Sequence, residues 1–189
     1  MGFTVADLNP STWDACAELV ERNNGIFGGS WCIGWHPECG QQDISHRQVK
    51  EDREGTGRAH AALVIDECGV AQGWCQYGSP EELSNIKHER KYDQAARPVP
   101  DWRIACFYVD PEHRRQGIAR AALGGALDHI GCAGGGLVEA IPEVTAGREA
   151  HGRFLFSVTV ELFEDHGFTR RRQVGKHAWV VDKMAEVAP

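Results

Sequence analysis

Between residues 101 and 130 the chain passes from a near-continuous apolar stretch, DWRIACFYV, through a turn, DPEHRRQG, into an amphipathic run, IARAALGGALDHI. A strand that is apolar on both faces must be covered on both faces, which places it inside a layered sheet rather than at an edge. The run after the turn carries Leu123, Leu127 and Ile130 on one helical stripe. Ala121, Ala122 and Gly125 line another side with very small groups, so a neighbour can approach closely. A buried strand, a tight turn and a helix in that order require an α/β domain. The 189 residues suit one such domain with a substantial core.

The remaining elements fit around this unit. Residues 3–8 predict a first strand, and residues 11–23 a helix capped by Ser11. Glycines and aromatics fill a long loop over 24–42. A polar helix follows over 43–54, with Asp43 as its cap. Residues 60–67 and 70–78 predict a hairpin turning at Cys68 and Gly69, and residues 79–100 a charged excursion containing a helix. The glycine cluster 131–136 ends the helix after the arginine turn. A strand over 136–141, a helix from Arg153 to His166 ended by Gly167, and two strands joined at Gly175 complete the order. No internal repeat or domain linker interrupts it.

Twenty Lys and Arg against twenty-seven Asp and Glu give a net charge of −7, which argues against a nucleic-acid partner and favours cationic small molecules or amines. No apolar run is long enough to cross a bilayer, so no membrane role is expected. The opening MGFTVADLNP lacks a basic region followed by an apolar stretch, which predicts a cytoplasmic protein. The seven cysteines are odd in number and scattered, and in that setting they read as reduced thiols. Cys32, His36 and Cys39 lie close together, but a structural zinc site wants four ligands and no second ligand pair follows, so no metal is expected.

Against the acidic background, Arg114, Arg115 and Arg120 gather at one helix start. A strand running through a turn into a helix leaves several backbone N–H groups pointing outward, and the helix dipole adds to their pull on anions. Gly117 has no Cβ, so a phosphate can touch the main chain there. The glycine-rich GCAGGG of residues 131–136 follows a helix and precedes a strand, the wrong order for a dinucleotide fingerprint, and no Walker-type motif is present.

The stretch FYVDPEHRRQGIARAAL resembles the core motif of the GNAT superfamily, the acetyl-CoA-dependent N-acyltransferases. That motif reads Gln or Arg, two residues, Gly, one residue, then Gly or Ala, matched here by Arg114, Gly117 and Ala119. LFEDHGF, residues 162–168, resembles the family's late helix-to-strand signature. The resemblance covers residues 3 to about 182 in element order, leaving 24–58 and 79–100 unmatched. It implies a single GNAT-like α/β domain over residues 1–189. Its central mixed, mostly antiparallel sheet would have about seven strands, flanked by helices and splayed between the fourth and fifth. It further implies acetyl-CoA, or another acyl-CoA, as co-substrate. Phe107 and Val109 would offer main-chain groups to the pantetheine arm. Arg114, Arg115, Gln116, Gly117, Ile118 and Ala119 would hold the pyrophosphate, with Arg120 assisting.

Many members protonate the departing thiolate with a tyrosine four residues before the glycine of the late signature, and Phe163 stands there instead. Ser157, Thr159 and Tyr108 are the hydroxyls nearest by sequence. The thiolate can also leave unaided, since a thiol pKa near 8.5 makes the ion tolerable in water. Glu139 is the first candidate to deprotonate the amine, ahead of His36 and His151. Trp31, Trp35 and His36 are candidates to line the acceptor pocket, because aromatic faces suit a cationic amine. The arginines of residues 169–174 alternate faces if they lie on a strand, and so need not form a patch. Two readings follow: an N-acyltransferase acting on a small-molecule or peptide amine, or a non-catalytic acyl-CoA-binding sensor or interaction domain. Dimers are common in such proteins, and a homodimer is a candidate assembly.

Overall fold

The computed structural model describes residues 2–94, 98–145 and 158–188. Seven strands form one sheet in the order β1-β2-β3-β4-β5-β7-β6. They are β1 (Phe3–Asp7), β2 (His60–Asp66), β3 (Ala71–Gly78), β4 (Trp102–Val109), β5 (Gly136–Ala140), β6 (Thr169–Gln173) and β7 (Trp179–Ala185). Every neighbouring pair is antiparallel except β4 and β5. That parallel pair is joined only at Trp102–Val138, Arg103–Glu139 and Ile104–Ala140. Beyond Ile104 strand β4 continues alone on that side, which is the splay expected from the resemblance.

One face of the sheet is covered by the long helix α4 (Ile118–Cys132), whose Ile118, Leu123, Ala126 and Ile130 are buried against Ala62, Val64, Cys75 and Phe107. Helices α1 (Trp13–Arg22) and α2 (His46–Gly55), together with residues 24–42, lie over the other face. The short helices α3 (Glu89–Tyr92) and α5 (Val160–Glu164) complete the set. Two glycines allow α4 to lie so close. A Cβ on Gly125 would come within 2.3 Å of Val5, and one on Gly73 would meet the Tyr108 carbonyl at 2.6 Å and Ile118 at 2.7 Å.

Strand β4 carries a bulge. Cys75 pairs with Phe107 and Tyr77 with Ile104, so Ala105 and Cys106 together oppose Gln76. The extra residue resets the alternation. Ile104 and Phe107 therefore both face α4, while Cys106 and Tyr108 face the loop side.

Several boundaries differ from the sequence expectation. Ser11 does not cap α1; Thr12 occupies the cap position, and its hydroxyl donates to the Asp7 carbonyl instead of meeting a helix amide. Asp43 does not cap α2; the Ser45 hydroxyl accepts from the Gln48 amide. The helix expected from Arg153 begins, among the described residues, at Val160, with Thr159 accepting from the Leu162 amide. Residues 153–157 lie outside the described residues. Val158 has φ +50°, a conformation that cannot continue a right-handed helix.

Cysteine chemistry also departs from expectation. Cys32 and Cys106 form a disulfide across a sequence separation of 74, while Cys16, Cys39, Cys68, Cys75 and Cys132 are free. The fold lays the long loop over β4 and so brings together two residues that no local spacing relates.

Candidate active site

The turn after β4 is built for an anion. Asp110 ends the strand, accepting from Arg22 Nε at 3.1 Å and from the Glu112 amide at 3.1 Å. These donors, with Asn23, keep its carboxylate below the ordinary range despite burial. Arg115 (φ +62°) and Gly117 (φ +84°) then turn the chain into α4. Among the described residues, the backbone N–H groups of Arg115 through Arg120 find no acceptor. They converge at the positive end of a 15-residue helix. A Cβ on Gly117 would have nothing within 4 Å, so open space faces the main chain there. Arg114, Arg115 and Gln116 are exposed, whereas Ile118 is buried in the core and anchors the turn. Arg120 is ion-paired with Asp165, tying α4 to the segment after α5.

A cavity of about 290 Å³ lies beside this turn, lined by Phe27, Phe107, Tyr108, Val109, Arg114, Ala119, Val158, Thr159 and Leu162. The Asp110 amide donates to the Gln72 carbonyl on the β3 side. Alternation along the strand then turns the main-chain groups of Phe107 and Val109 to the opposite side, where β5 has parted. Phe107, Val109, Arg114 and Ala119, assigned to the coenzyme by resemblance, therefore meet on one wall. Tyr108 and Thr159 add hydroxyls. Burial, with Asp110 nearby, raises the Tyr108 pKa, so its phenol stays protonated well above neutral pH. Phe163 is wholly buried, edge-on to Phe107 at 6.0 Å and to Phe168 at 4.9 Å, and serves as core. Ser157 and His151 lie outside the described residues.

A second cavity, of about 410 Å³, is lined by Phe27, Ser30, Cys32, Gly34, Trp35, Asn85, Ile86, Lys87 and Cys106. It meets the first at Phe27. Of the three aromatic and histidine residues expected around an acceptor, Trp35 lines it. Trp31 instead stacks on Trp13 at 6.3 Å within the core. His36 is 1% exposed and donates from Nδ1 to the Glu82 carbonyl at 2.9 Å, while Nε2 lies 2.8 Å from the side-chain amide of Gln76. Burial, reinforced by the Lys50 ammonium, holds the His36 pKa down at about 3. Lys50, itself buried, is lowered to about 8. Cys39 is free and exposed and Cys32 is bonded to Cys106, so the two sulfurs that flank His36 in sequence are not gathered around it.

Glu139, the first candidate base, lines neither cavity: it lies on β5 opposite Arg103, 4% exposed, with Oε1 taking the Tyr92 hydroxyl and lying 3.4 Å from Arg103. The β6 arginines are each engaged separately. Arg170 meets Glu164, Arg171 meets Asp182, and Arg172 donates to the carbonyls of Lys91 and Tyr92.

Sequence reasoning missed Phe27, Leu162 and Val158 in the first cavity. Phe27 lies in a run of left-handed residues, φ +46° at Phe27 itself, with no periodic signal to reveal its direction. Residues 18–156 match the model of the acetyltransferase (GNAT) family, and the chain belongs to that family. No curated protein matches its sequence. Three solved structures show the same fold. A histone acetyltransferase and related acetyltransferase from Corynebacterium glutamicum is 14% identical, with TM-score 0.56 over 100% of this chain and 98% of that one. An N-acetyltransferase from Staphylococcus aureus is 14% identical, with TM-score 0.55 over 100% of both chains. A phosphinothricin acetyltransferase from Sinorhizobium meliloti, in complex with AcCoA, is 15% identical, with TM-score 0.54 over 98% of this chain and 90% of that one. Among the described residues, no helix is long and apolar enough to cross a membrane.

Proposed function

We propose that the protein transfers an acyl group, in the simplest case acetyl, from acyl-CoA to an amine of a small molecule or peptide. The observation that carries this reading is the row of unaccepted amides from Arg115 to Arg120 at the head of α4, opening beside a cavity walled by β4. Those amides and Arg114 suit a diphosphate, and the outward main-chain groups of Phe107 and Val109 suit an amide-containing arm that pairs like a strand. The thioester supplies an activated acyl carbon. Attack by the amine forms the C–N bond, and the C–S bond breaks as the tetrahedral intermediate collapses. The amine loses one proton and the departing sulfur can gain one.

In this reading Tyr108 donates that proton, because it is among the residues that line the cavity and burial keeps its phenol neutral. Thr159 is the other hydroxyl on the same wall, already accepting from the Leu162 amide. Glu139, held by Arg103 and Tyr92, ties β5 to β4 and α3 in the register pairs just before β4 and β5 part. The protein's contribution is chiefly positioning.

Phe163 in the place of the usual tyrosine supports the second reading, an acyl-CoA-binding domain without turnover. Thiol release from acetyl-CoA with a panel of amines separates the two. Amine-dependent release is the expected result. Tight coenzyme binding without release under any amine would favour the sensor.

A further inference from the structure

Given the transferase reading, on which this inference rests, the wall of the larger cavity bears on how the acceptor side is held. Two backbone irregularities bring a pair of sulfurs to that wall. The bulge in β4 turns Cys106 to the loop side of the sheet, and Trp31 (φ +50°) and Cys32 (φ +57°) turn the long loop down onto it. Both partners of the Cys32–Cys106 bond line the cavity. The bond joins the loop that carries Phe27 and Trp35 to the strand that carries Tyr108. Phe27 lines both cavities and meets the Tyr108 ring edge-on at 5.8 Å. Hydrogen bonds anchor other parts of the loop, Gly29 to His46 of α2, and Gly34 and Trp35 to Asn85. The sulfurs anchor it to β4. Cys16, Cys39, Cys68, Cys75 and Cys132 remain thiols, three of them exposed, so this is one bond among thiols rather than a disulfide framework.

We propose that the Cys32–Cys106 bond is a redox-controlled positioning element of the acceptor side. Closed, it holds the Phe27 ring against Tyr108 and the loop over the larger cavity. That cavity, of about 410 Å³, admits a small dithiol, and exchange depends on such access. One thiolate of the dithiol attacks a sulfur of the bond, giving a mixed disulfide and a protein thiolate. Its second thiol then displaces the remaining protein sulfur. Two electrons and two protons pass, the protein gains two thiols, and the dithiol leaves as a cyclic disulfide. Ile118, buried in the core, anchors the turn before α4 independently of the loop. Opening the bond therefore loosens the acceptor wall and leaves the coenzyme grip intact.

Hydrogen–deuterium exchange of the full chain tests this, first with the bond closed by excess oxidised glutathione and then after dithiothreitol. Alkylation of the denatured protein should count two more thiols per chain after the dithiol. Amides of residues 24–42 should then exchange at least ~10-fold faster, with those of α4 unchanged, since opening is local. For an amine that releases thiol from acetyl-CoA, KM should rise by about 10-fold once the dithiol has been removed, because misplaced wall groups cost orientation. Coenzyme A affinity should not move, and reoxidation should restore the KM. Cys106→Ala should show the open behaviour without dithiol and ignore it when added; Cys32→Ser serves the same purpose if Cys106→Ala does not fold. A pair that stays open under oxidised glutathione overturns the proposal, as does unaltered exchange of residues 24–42 when two further thiols are counted. If the loop responds but no amine releases thiol from acetyl-CoA, the transferase reading fails while the redox assignment stands. If an amine is acetylated with the same KM in both states of the bond, the assignment fails and the transferase reading stands.

Discussion

His36 is buried on the Glu82 carbonyl with the Lys50 ammonium 3.5 Å from Nε2, and its pKa is held at about 3 in place of the ordinary 6.5. The unfolded ring takes up a proton below pH 6.5 and the folded ring does not until about pH 3. Stability is therefore fully present above 6.5 and is lost as pH falls through that window. Melting temperatures recorded from pH 7.5 down to 4.5 should fall, by the equivalent of about 3 kcal/mol from this group. His36→Gln should flatten that part of the profile; an unchanged slope would show that other groups set it. Gly117 permits a test of the cradle at the same scale. Gly117→Val places a β-branched residue at φ +84° and directs its side chain into the open space before the amides. In a folded Gly117→Val protein, coenzyme A affinity should drop by about 100-fold or more, because phosphate contact with the main chain is blocked. Tyr108→Phe should leave coenzyme affinity intact and lower kcat by ~100-fold, in keeping with loss of a general acid; an undiminished kcat would show that the thiolate leaves without that phenol.

Among the elements, the strand–turn–helix from Trp102 to Cys132 is legible in the sequence because its signals are local: an apolar run, a proline, a glycine and a small-residue stripe follow one another along the chain. The small stripe has a specific meaning, since Gly125 lies against Val5. Gly125→Leu should destabilise by about 1–3 kcal/mol or more through overpacking, measurable by denaturant unfolding. The late helix reads too long in the sequence because Leu155, Val158 and Leu162 keep a helical period, yet Val158 adopts φ +50° and Thr159 turns to cap the helix that follows. Residues 24–42 are illegible for another reason. Asn24, Ile26, Phe27, Trp31 and Cys32 all have positive φ, so no period of two or 3.6 survives, and Cys32 finds its partner only through the tertiary fold. Peptide mapping of the unreduced protein should recover residues 32 and 106 in one linked fragment. Cys32→Ser should cost about 2–4 kcal/mol of stability, as for other bridges closing long loops. A fully reduced pair in the native protein would contradict the linkage.

Across the whole molecule, one departure of strands organises everything else. β4 and β5 share three register pairs and then separate, and the α4 amides, the β4 main chain and both cavities open around that gap. The sheet order and the cradle are foreseeable from a motif carried by a few residues. The cavity walls are not, because Phe27, Trp35, Ile86 and Thr159 come from loops whose directions depend on the assembled fold. The proposed chemistry stands or falls with the grip of the amides ahead of Arg120 on a diphosphate. Calorimetry of the unaltered protein with coenzyme A, and in parallel with pantetheine, which carries the same thiol arm without the nucleotide and phosphates, isolates that grip. Coenzyme A should bind at least about 100-fold more tightly, since charge-assisted bonds to the main chain are lost with the phosphates. Equal affinity for the two would place the grip elsewhere and refute the cradle.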